Sequence, residues 1–283
     1  MQSMLLGLIG AGIQRSLSPA LHEEEGRHHG LRVHYQLIDL DSAAAGAEVL
    51  PTLIAAARAM GFAGLNITFP CKQAVIPLLD ELSEEARVMG AVNTVVPKNG
   101  RLVGHNTDGS GWSWGFRRAL PEAKLGRVVI LGAGGAGSAV AHAALRLGVE
   151  KLAIVDREPQ RAETLAAQLN SVYGAARAGA QRDIAAALEG ADGLIQATPV
   201  GMLKQPGMPL PERLLRRELW VSEIVYVPLE TELLKAARRI GCATADGGHM
   251  NVGQAGRAFE LFTGQKADVG RMDAHFRRLA AGG

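Results

Sequence analysis

Glycines 132, 134 and 137 have the G-x-G-x-x-G spacing of a dinucleotide loop, in the run Val128-Val129-Ile130-Leu131-Gly132-Ala133-Gly134-Gly135-Ala136-Gly137. The chemistry of such a loop is anion binding. Gly132 permits a tight turn, Gly134 lets the backbone approach a pyrophosphate, and Gly137 lets the next helix pack against the strand. N–H groups at the helix start, around Gly135 and Ala136, then hold the anion. A second apolar run, Leu152-Ala153-Ile154-Val155, ends at Asp156, about 20 residues beyond the loop, where a carboxylate accepts hydrogen bonds from ribose hydroxyls. Arg157 and Arg161 follow and are able to bind a 2′-phosphate, but Asp156 and Glu158 oppose that charge. NAD is therefore expected over NADP. A structural glycine-rich turn would need no spaced acid; here strand, glycines, helix, strand and acid stand in register.

Other residue groups invite chemistry less specifically. Ser16 and Ser18, two apart at a predicted helix start, are able to aim hydroxyls and backbone donors at a carboxylate. Ser18 with Pro19 is equally an ordinary N-cap and N1 pair. Asn66, Thr68 and Lys72 fall at the carboxyl end of a predicted strand, where ligands of parallel sheets bind; a solvated first-turn lysine is the plain alternative for Lys72. Asn93 and Asn106 are poor strand residues within strand-like runs, and Asp108-Gly109 fits a plain turn as well as a site. Cys71 and Cys242 lack metal or redox spacing, so packing is expected of both and no metal site is expected.

The elements that must position these residues alternate between strand and helix. Strands are predicted at 4–10, 33–39 and 64–68, with helices from Ser18, over 43–60 and over 71–80. The segment 90–109 reads as a hairpin turning at Lys98-Asn99-Gly100-Arg101, followed by a helix over 110–119. Beyond Asp156 come a helix over 158–170, a strand over 193–202 broken by Pro199, a strand over 220–226 and helices over 231–240, 252–263 and 268–280. Strand–helix–strand units with short links predict an α/β protein with mostly parallel sheets.

Composition sets the outer limits. The 283 residues suffice for two domains, and 47% hydrophobic with 20% charged residues suits a globular enzyme. The net charge is only +2, and arginines form scattered pairs such as Arg117-Arg118 and Arg277-Arg278, so no basic stripe points to nucleic acid. Met4–Gly10 is apolar but short and lacks a preceding basic residue. It reads as a first strand and not as a signal peptide or membrane span, and a cytoplasmic address follows by default.

Taken together the chain resembles the shikimate/quinate dehydrogenase family over nearly its whole length. The marks are Ser16-Leu17-Ser18-Pro19, Asn66-Ile67-Thr68-Phe69-Pro70-Cys71-Lys72, Gly90-Ala91-Val92-Asn93-Thr94, Asn106-Thr107-Asp108-Gly109, the Gly132–Gly137 loop, Ala197-Thr198-Pro199-Val200-Gly201-Met202, Val225-Tyr226-Val227-Pro228 and Gln254. The resemblance implies an N-terminal substrate domain, a Rossmann-type doubly wound nucleotide domain, and C-terminal helices that return to the first. In this sequence that means residues 1–108 and 245–283 for substrate and 109–244 for the dinucleotide. It implies that Ser16 and Ser18 hold a substrate carboxylate, that Thr68, Asn93 and Gln254 bind ring hydroxyls, and that Lys72 and Asp108 are the catalytic pair. On the cofactor side it adds Thr198, Pro199, Val225 and Met250. The expected partner is a cyclic polyhydroxy acid, with the protein a monomer or homodimer.

Some residues depart from the family pattern. Asp156-Arg157-Glu158-Pro159 resembles the NAD-preferring quinate/shikimate branch, whereas the Ser16-x-Ser18 pair resembles shikimate-preferring forms. Gln196 stands where asparagine is usual, and Glu23 where asparagine is frequent. Two related alternatives remain: a paralogue acting on an aminoshikimate-type acid, and a non-catalytic NAD-binding protein. A methylenetetrahydrofolate dehydrogenase type would not carry both Ser16-x-Ser18 and Asn106-Thr107-Asp108-Gly109.

Overall fold

The computed structural model describes residues 2–42 and 44–281. The chain divides into two compact units: residues up to Thr107 with those from Gln254 onward, and Asp108–Gly253.

The first unit is built on β1 (Gln2–Gly10), α1 (Ser18–His28), β2 (Leu31–Asp39), α2 (Leu50–Ala59), β3 (Gly64–Ile67), α3 (Cys71–Ala74), β4 (Glu81–Leu82), α4 (Glu84–Met89), β5 (Thr94–Lys98) and β6 (Arg101–His105). Its strand order is β2-β1-β3-β5-β6-β4. β1 runs parallel to β2 and β3, and β4 parallel to β6, while the β5–β6 hairpin joins β3 antiparallel. The hairpin turns through Asn99 and Gly100, both at positive φ, as a two-residue primed turn requires. Alternation along β1 sends Ile9 to one face, with Leu50, Ile54, Leu65, Ile67 and Cys71, and Leu6 and Leu8 to the other, with Tyr35, Ala258 and Phe262.

The helix expected over 43–60 begins only at Leu50, with a 3-10 turn at Ala47–Val49 and Pro51 in its first turn; position 43 lies outside the described residues. The helix expected over 71–80 is α3 alone, four residues long. Pro77, in the 3-10 turn Ile76–Leu78, cannot donate to the ladder of a longer helix. Ser18 is not the N-cap of α1: Leu17 takes that place, and its side chain makes no capping bond.

The second unit contains α5 (Asp108–Ala119), β7 (Arg127–Leu131), α6 (Gly135–Leu147), β8 (Lys151–Val155), α7 (Pro159–Tyr173), β9 (Ala178–Gln181), α8 (Ile184–Leu188), β10 (Gly193–Gln196), β11 (Trp220–Glu223), α9 (Glu232–Ile240) and β12 (Thr244–Ala245). Its order is β12-β11-β10-β7-β8-β9, parallel throughout. The chain reverses direction of growth between β7 and β10, the doubly wound arrangement that opens a ligand crevice there. Val128 and Ile130 pack with helices α5–α7 on one face, and Val129 and Leu131 with α8 and α9 on the other.

Two last helices follow, α10 (Gly247–Thr263) and α11 (Val269–Ala281). α10 starts five residues before the expected 252, despite Gly247 and Gly248. A Cβ on Gly247 would stand 2.4 Å from the Val225 carbonyl oxygen, so close backbone packing requires that glycine. The first turns of α10 belong with the second unit, since a Cβ on Gly253 would stand 2.6 Å from the Gly111 carbonyl oxygen. From Gln254 on, the chain belongs to the first unit. There Arg271 of α11 donates to both carboxylate oxygens of Glu25 at 2.7 and 3.0 Å, and Asp268 N–H adds a third bond at 2.8 Å. Glu25 is 1% exposed. Burial pushes its carboxyl up, yet these donors and His29 outweigh burial and hold it below the ordinary range.

Two buried imidazoles contribute to the acid response. His22 stacks on Tyr35 at 4.9 Å between ring centroids and lies near Phe259 and Phe262, with no hydrogen-bond partner on either ring nitrogen. Burial drives its pKa down to about 3, against a smaller upward pull from Glu25. His142 is driven down to about 4 by burial and by Arg146. A base whose folded pKa is depressed stabilises the fold above its unfolded pKa and loses that contribution as pH falls. His22→Phe should keep the stack, remove the protonation penalty and flatten the stability profile by about 2 kcal/mol between pH 7.5 and 5. Urea unfolding across that range checks this; a variant profile parallel to the parent would refute it.

Candidate active site

In the first unit the candidate residues follow the ends of neighbouring strands. Beyond β1, the loop to Ser16 is held by Asp39 at the end of β2, whose carboxylate accepts Gly12 N–H at 2.9 Å and Ile13 N–H at 3.2 Å. Burial alone would raise the Asp39 carboxyl, but hydrogen bonds from Gln14, Gly12, Asp41 and Ile13 lower it on balance. Ser16 then donates to Ser18 Oγ at 3.1 Å and accepts Ser18 N–H at 3.3 Å, so Ser16 organises the turn that precedes α1. Ser18 is buried and Ser16 half-buried.

Beyond β3, Thr68 N–H donates to the Ile9 carbonyl and the Thr68 carbonyl accepts Cys71 N–H. A Cβ on Gly10 would stand 2.2 Å from Thr68 Cγ2, so the ends of β1 and β3 touch there. Lys72 is the second residue of α3, half-buried; its carbonyl accepts Val92 N–H at 2.8 Å and ties α3 to the strand that begins at Thr94. The Cys71 thiol is fully buried, and burial raises its pKa, which fits packing rather than reactivity.

Asn93, 3% exposed, is the hub of a buried polar network. Its amide oxygen accepts Thr107 N–H at 2.8 Å and the Thr94 hydroxyl at 2.9 Å, and its amide nitrogen donates to the Thr107 hydroxyl at 2.9 Å. Asn66 donates to the Asn93 carbonyl and the Thr94 hydroxyl, and accepts the Tyr35 hydroxyl at 2.8 Å. Asn106 donates to the Ala91 carbonyl at 3.0 Å. Both asparagines questioned as strand residues lie just outside β5 and β6, and their side chains close the ends of that hairpin. Gln254 belongs to the same unit, on α10.

In the second unit the glycine loop joins β7 to α6. Gly132 has φ of +99°, and a Cβ there would stand 2.7 Å from the Ala197 carbonyl oxygen; a Cβ on Gly137 would stand 2.1 Å from the Gly132 carbonyl oxygen. Gly134, the N-cap of α6, is exposed and has nothing within 4 Å of its Cβ position. The N–H groups of Gly135, Ala136 and Gly137 make no hydrogen bond to the described residues, as at any uncapped helix start. Asp156 Oδ2 accepts Ala133 N–H at 2.7 Å and Oδ1 accepts Glu158 N–H at 2.8 Å. Each oxygen keeps a second lone pair for a ribose hydroxyl. An open cradle of N–H groups beside an anchored carboxylate fits a dinucleotide without a 2′-phosphate. Arg161 pairs with Glu158 at 3.0 Å, and Arg157 is exposed.

The loop after β10 carries Thr198 and Pro199. Val225, in the loop after β11, is 6% exposed, and Met250 packs in the core with Trp112. Asp108, the first residue of α5 and 5% exposed, begins a helix rather than a plain turn. Among the described residues no helix is long and apolar enough to cross a membrane.

Sequence reasoning assigned no role to Asp39, Tyr35, Thr107 or Glu223. Asp39, Tyr35 and Glu223 carried a usable signal, a polar or titratable side chain at the end of, or inside, an otherwise apolar strand-like run; Thr107, between Asn106 and Asp108, carried none.

The glycine geometry separates folding from binding. Gly137→Ala places a methyl against backbone and should cost at least about 2 kcal/mol of stability, together with loss of NADH binding. Gly134→Ala meets open space and should leave the melting temperature within about 2 °C, yet weaken NADH by roughly tenfold or more. NADH fluorescence titration and thermal melting of both variants check the pair; equal behaviour of the two would be wrong for this loop.

Comparisons with known proteins place the chain in a family. Residues 8–95 match the model of the shikimate dehydrogenase substrate binding domain, and residues 116–201 that of shikimate / quinate 5-dehydrogenase. The chain is 56% identical over 280 residues to a shikimate dehydrogenase (NADP(+)) of Streptomyces avermitilis, covering 98% of this chain and 96% of that protein. It is 49% identical to a quinate/shikimate dehydrogenase (NAD(+)) of Corynebacterium glutamicum, covering 98% and 99%. The solved structure of quinate dehydrogenase from Corynebacterium glutamicum in complex with NAD superposes with a TM-score of 0.92 at 47% identity, covering 98% of this chain and all of that one. Glycine loop, anchored acid and asparagine hub thus occur in a chain that belongs to the shikimate/quinate dehydrogenase family.

Proposed function

We propose that this protein is an NAD-dependent oxidoreductase that reversibly converts the ring hydroxyl of shikimate, quinate or both to the 3-dehydro ketone. One observation carries the reading: a bare α6 terminus beside the doubly anchored Asp156 occurs in the same chain as a unit matched by the substrate binding domain model. NAD, when bound, takes up the hydride. Gly132, Ala133, Gly134, Gly135 and Ala136 cradle its pyrophosphate and Asp156 its ribose, with Arg157, Arg161, Thr198, Pro199, Val225 and Met250 on the cofactor side.

Residues 1–108 and 245–283 supply the substrate side and 109–244 the cofactor side, with Met250 joining the latter because α10 as far as Gly253 packs with the second unit. Ser16 and Ser18 bind the substrate carboxylate, while Thr68, Asn93 and Gln254 bind its hydroxyls. Lys72 receives the proton of the reacting hydroxyl, and Asp108 orients Lys72. The reading places the protein in the cytoplasm as a monomer or homodimer acting on a small molecule, without nucleic acid. A net charge of +2 with dispersed arginine pairs supports the last point.

Absorbance of NADH formed from shikimate and from quinate tests the function, with NADP run in parallel. Turnover with NAD is expected; tight NAD binding with no turnover of either acid would instead mean a non-catalytic protein. Lys72→Ala should lower kcat by about 10²–10⁴-fold, the usual worth of a positioned acid–base group, with NADH affinity nearly unchanged. Asp156→Asn keeps an acceptor for Ala133 N–H but removes the charge that repels a 2′-phosphate. It should narrow the NAD-over-NADP ratio of kcat/KM by about tenfold, a difference of ~1.4 kcal/mol; an unchanged ratio would show that Asp156 does not select the cofactor.

A further inference from the structure

The strand order of the second unit decides which way a bound dinucleotide must run. Asp156 follows β8, on one side of β7, and the bare N–H groups lie at the start of α6. A dinucleotide with its adenosine ribose on Asp156 and its pyrophosphate on α6 therefore sends its nicotinamide end toward β10 and β11. At the last residue of each of those strands is a polar side chain with almost no exposure: Gln196 at 0% and Glu223 at 1%. The two are direct partners in the parallel register.

Each side chain folds forward onto the loop that follows its own strand. Gln196 Nε2 donates to Thr198 Oγ1 at 2.8 Å and to the Val200 carbonyl at 2.8 Å, and its Oε1 accepts Thr198 N–H at 3.2 Å. Glu223 Oε1 accepts Ile224 N–H at 2.9 Å and Val225 N–H at 3.0 Å, and its Oε2 accepts the Thr231 hydroxyl at 3.1 Å. The two loops are also tied to each other. Ile224 N–H is shared with the Gln196 carbonyl at 3.1 Å. Gly201, at φ of +103°, brings the end of the first loop to Thr231 and Glu223, which lie 3.4 and 3.9 Å from its Cβ position.

Apolar residues would fill these two places at lower cost, because burying an amide and a carboxyl is unfavourable unless every bond is made. A satisfied buried network instead selects one loop conformation. We propose that Gln196 and Glu223 are positioning residues for NAD: a buried brace that sets loops 197–201 and 224–226 and so controls affinity for the nicotinamide half of the cofactor without touching it. This rests on the reading of Thr198, Pro199 and Val225 as cofactor contacts.

The test compares Gln196→Met and Glu223→Leu, which remove the brace, with Gln196→Glu and Glu223→Gln, which keep its shape. Gln196→Glu turns an oxygen toward the Val200 carbonyl and should behave like Gln196→Met. Glu223→Gln retains an acceptor for both N–H groups and should behave like the parent. Removing the brace should weaken NADH roughly tenfold or more by fluorescence titration while leaving AMP affinity unchanged, since AMP reaches only the Asp156 side. KM for NAD should rise with KM for shikimate constant. Hydrogen exchange of 197–201 and 224–226 in the protein without cofactor should accelerate. The double variant should lose less than the sum of the singles.

Parental NADH affinity and exchange in any folded brace variant would overturn the inference, as would equal loss of AMP and NADH. If Gln196→Met or Glu223→Leu fails to fold, Gln196→Glu against Glu223→Gln decides by the same readouts. Val225→Ala leaves its backbone N–H and the brace intact. If it binds NADH like the parent while the brace variants weaken NADH, the contact reading of Val225 fails and the brace stands on its effect alone.

Discussion

The second unit depends on one backbone-to-backbone contact, the approach of the first turn of α6 to the Gly132 carbonyl. A methyl at position 137 would sit 2.1 Å from that oxygen, so helix and strand are as close as main chains come. The closeness brings α6's unpaired N–H groups to the end of β7, and there Asp156 holds the loop by Ala133 N–H. The same loop leans on Ala197 through Gly132, which links it to the segment after β10. The candidate binding site and the fold share these atoms: glycine is required for packing at Gly137, and a side chain at Gly134 would meet open space.

The first unit solves a different problem. Its candidate residues sit on irregular backbone at strand ends, and such backbone needs hydrogen-bond partners of its own. Asparagine, threonine and aspartate side chains supply them. Asp39 holds the loop before Ser16, and Asn93 joins β3, β5 and Thr107, just past β6, into one network. On the proposed reading, a substrate rich in hydroxyls suits such a surface, because side chains already held by one another lose little freedom on binding.

Much of this was legible in the residues. The alternating apolar runs predicted an α/β chain, and the glycine spacing with Asp156 predicted the β7–α6–β8 unit, because both are local and periodic. What escaped had weak local signals. β9 is Ala-Gly-Ala-Gln, a poor strand by propensity that forms because β8 offers it a free edge. β12 is two residues on the opposite edge. α10 begins at a pair of glycines that a propensity argument rejects and tertiary packing demands. The helix boundaries within 43–60 and 71–80 are set by Pro51 and Pro77, a proline signal that outweighs alanine content. In the site, roles carried by spacing were visible, whereas Asp39 and Tyr35 act through partners 27 and 31 residues away, and Glu223 acts by folding back onto the loop after its own strand.

The bond between Glu25 and Arg271 spans 246 residues, and that has a consequence for how the protein is made. A ribosome delivers the strands of the first unit early, with Leu6, Leu8 and Tyr35 on a sheet face whose cover, Ala258 and Phe262, is not yet synthesised. At roughly 5–20 residues per second the wait is on the order of tens of seconds. Most of that wait is the synthesis of the second unit, Asp108–Gly253, which is complete in sequence only nine residues before Phe262. The second unit is thus complete in sequence before the first, although the first begins earlier. The first unit closes last, and until then Leu6, Leu8 and Tyr35 lack the cover that Ala258 and Phe262 supply.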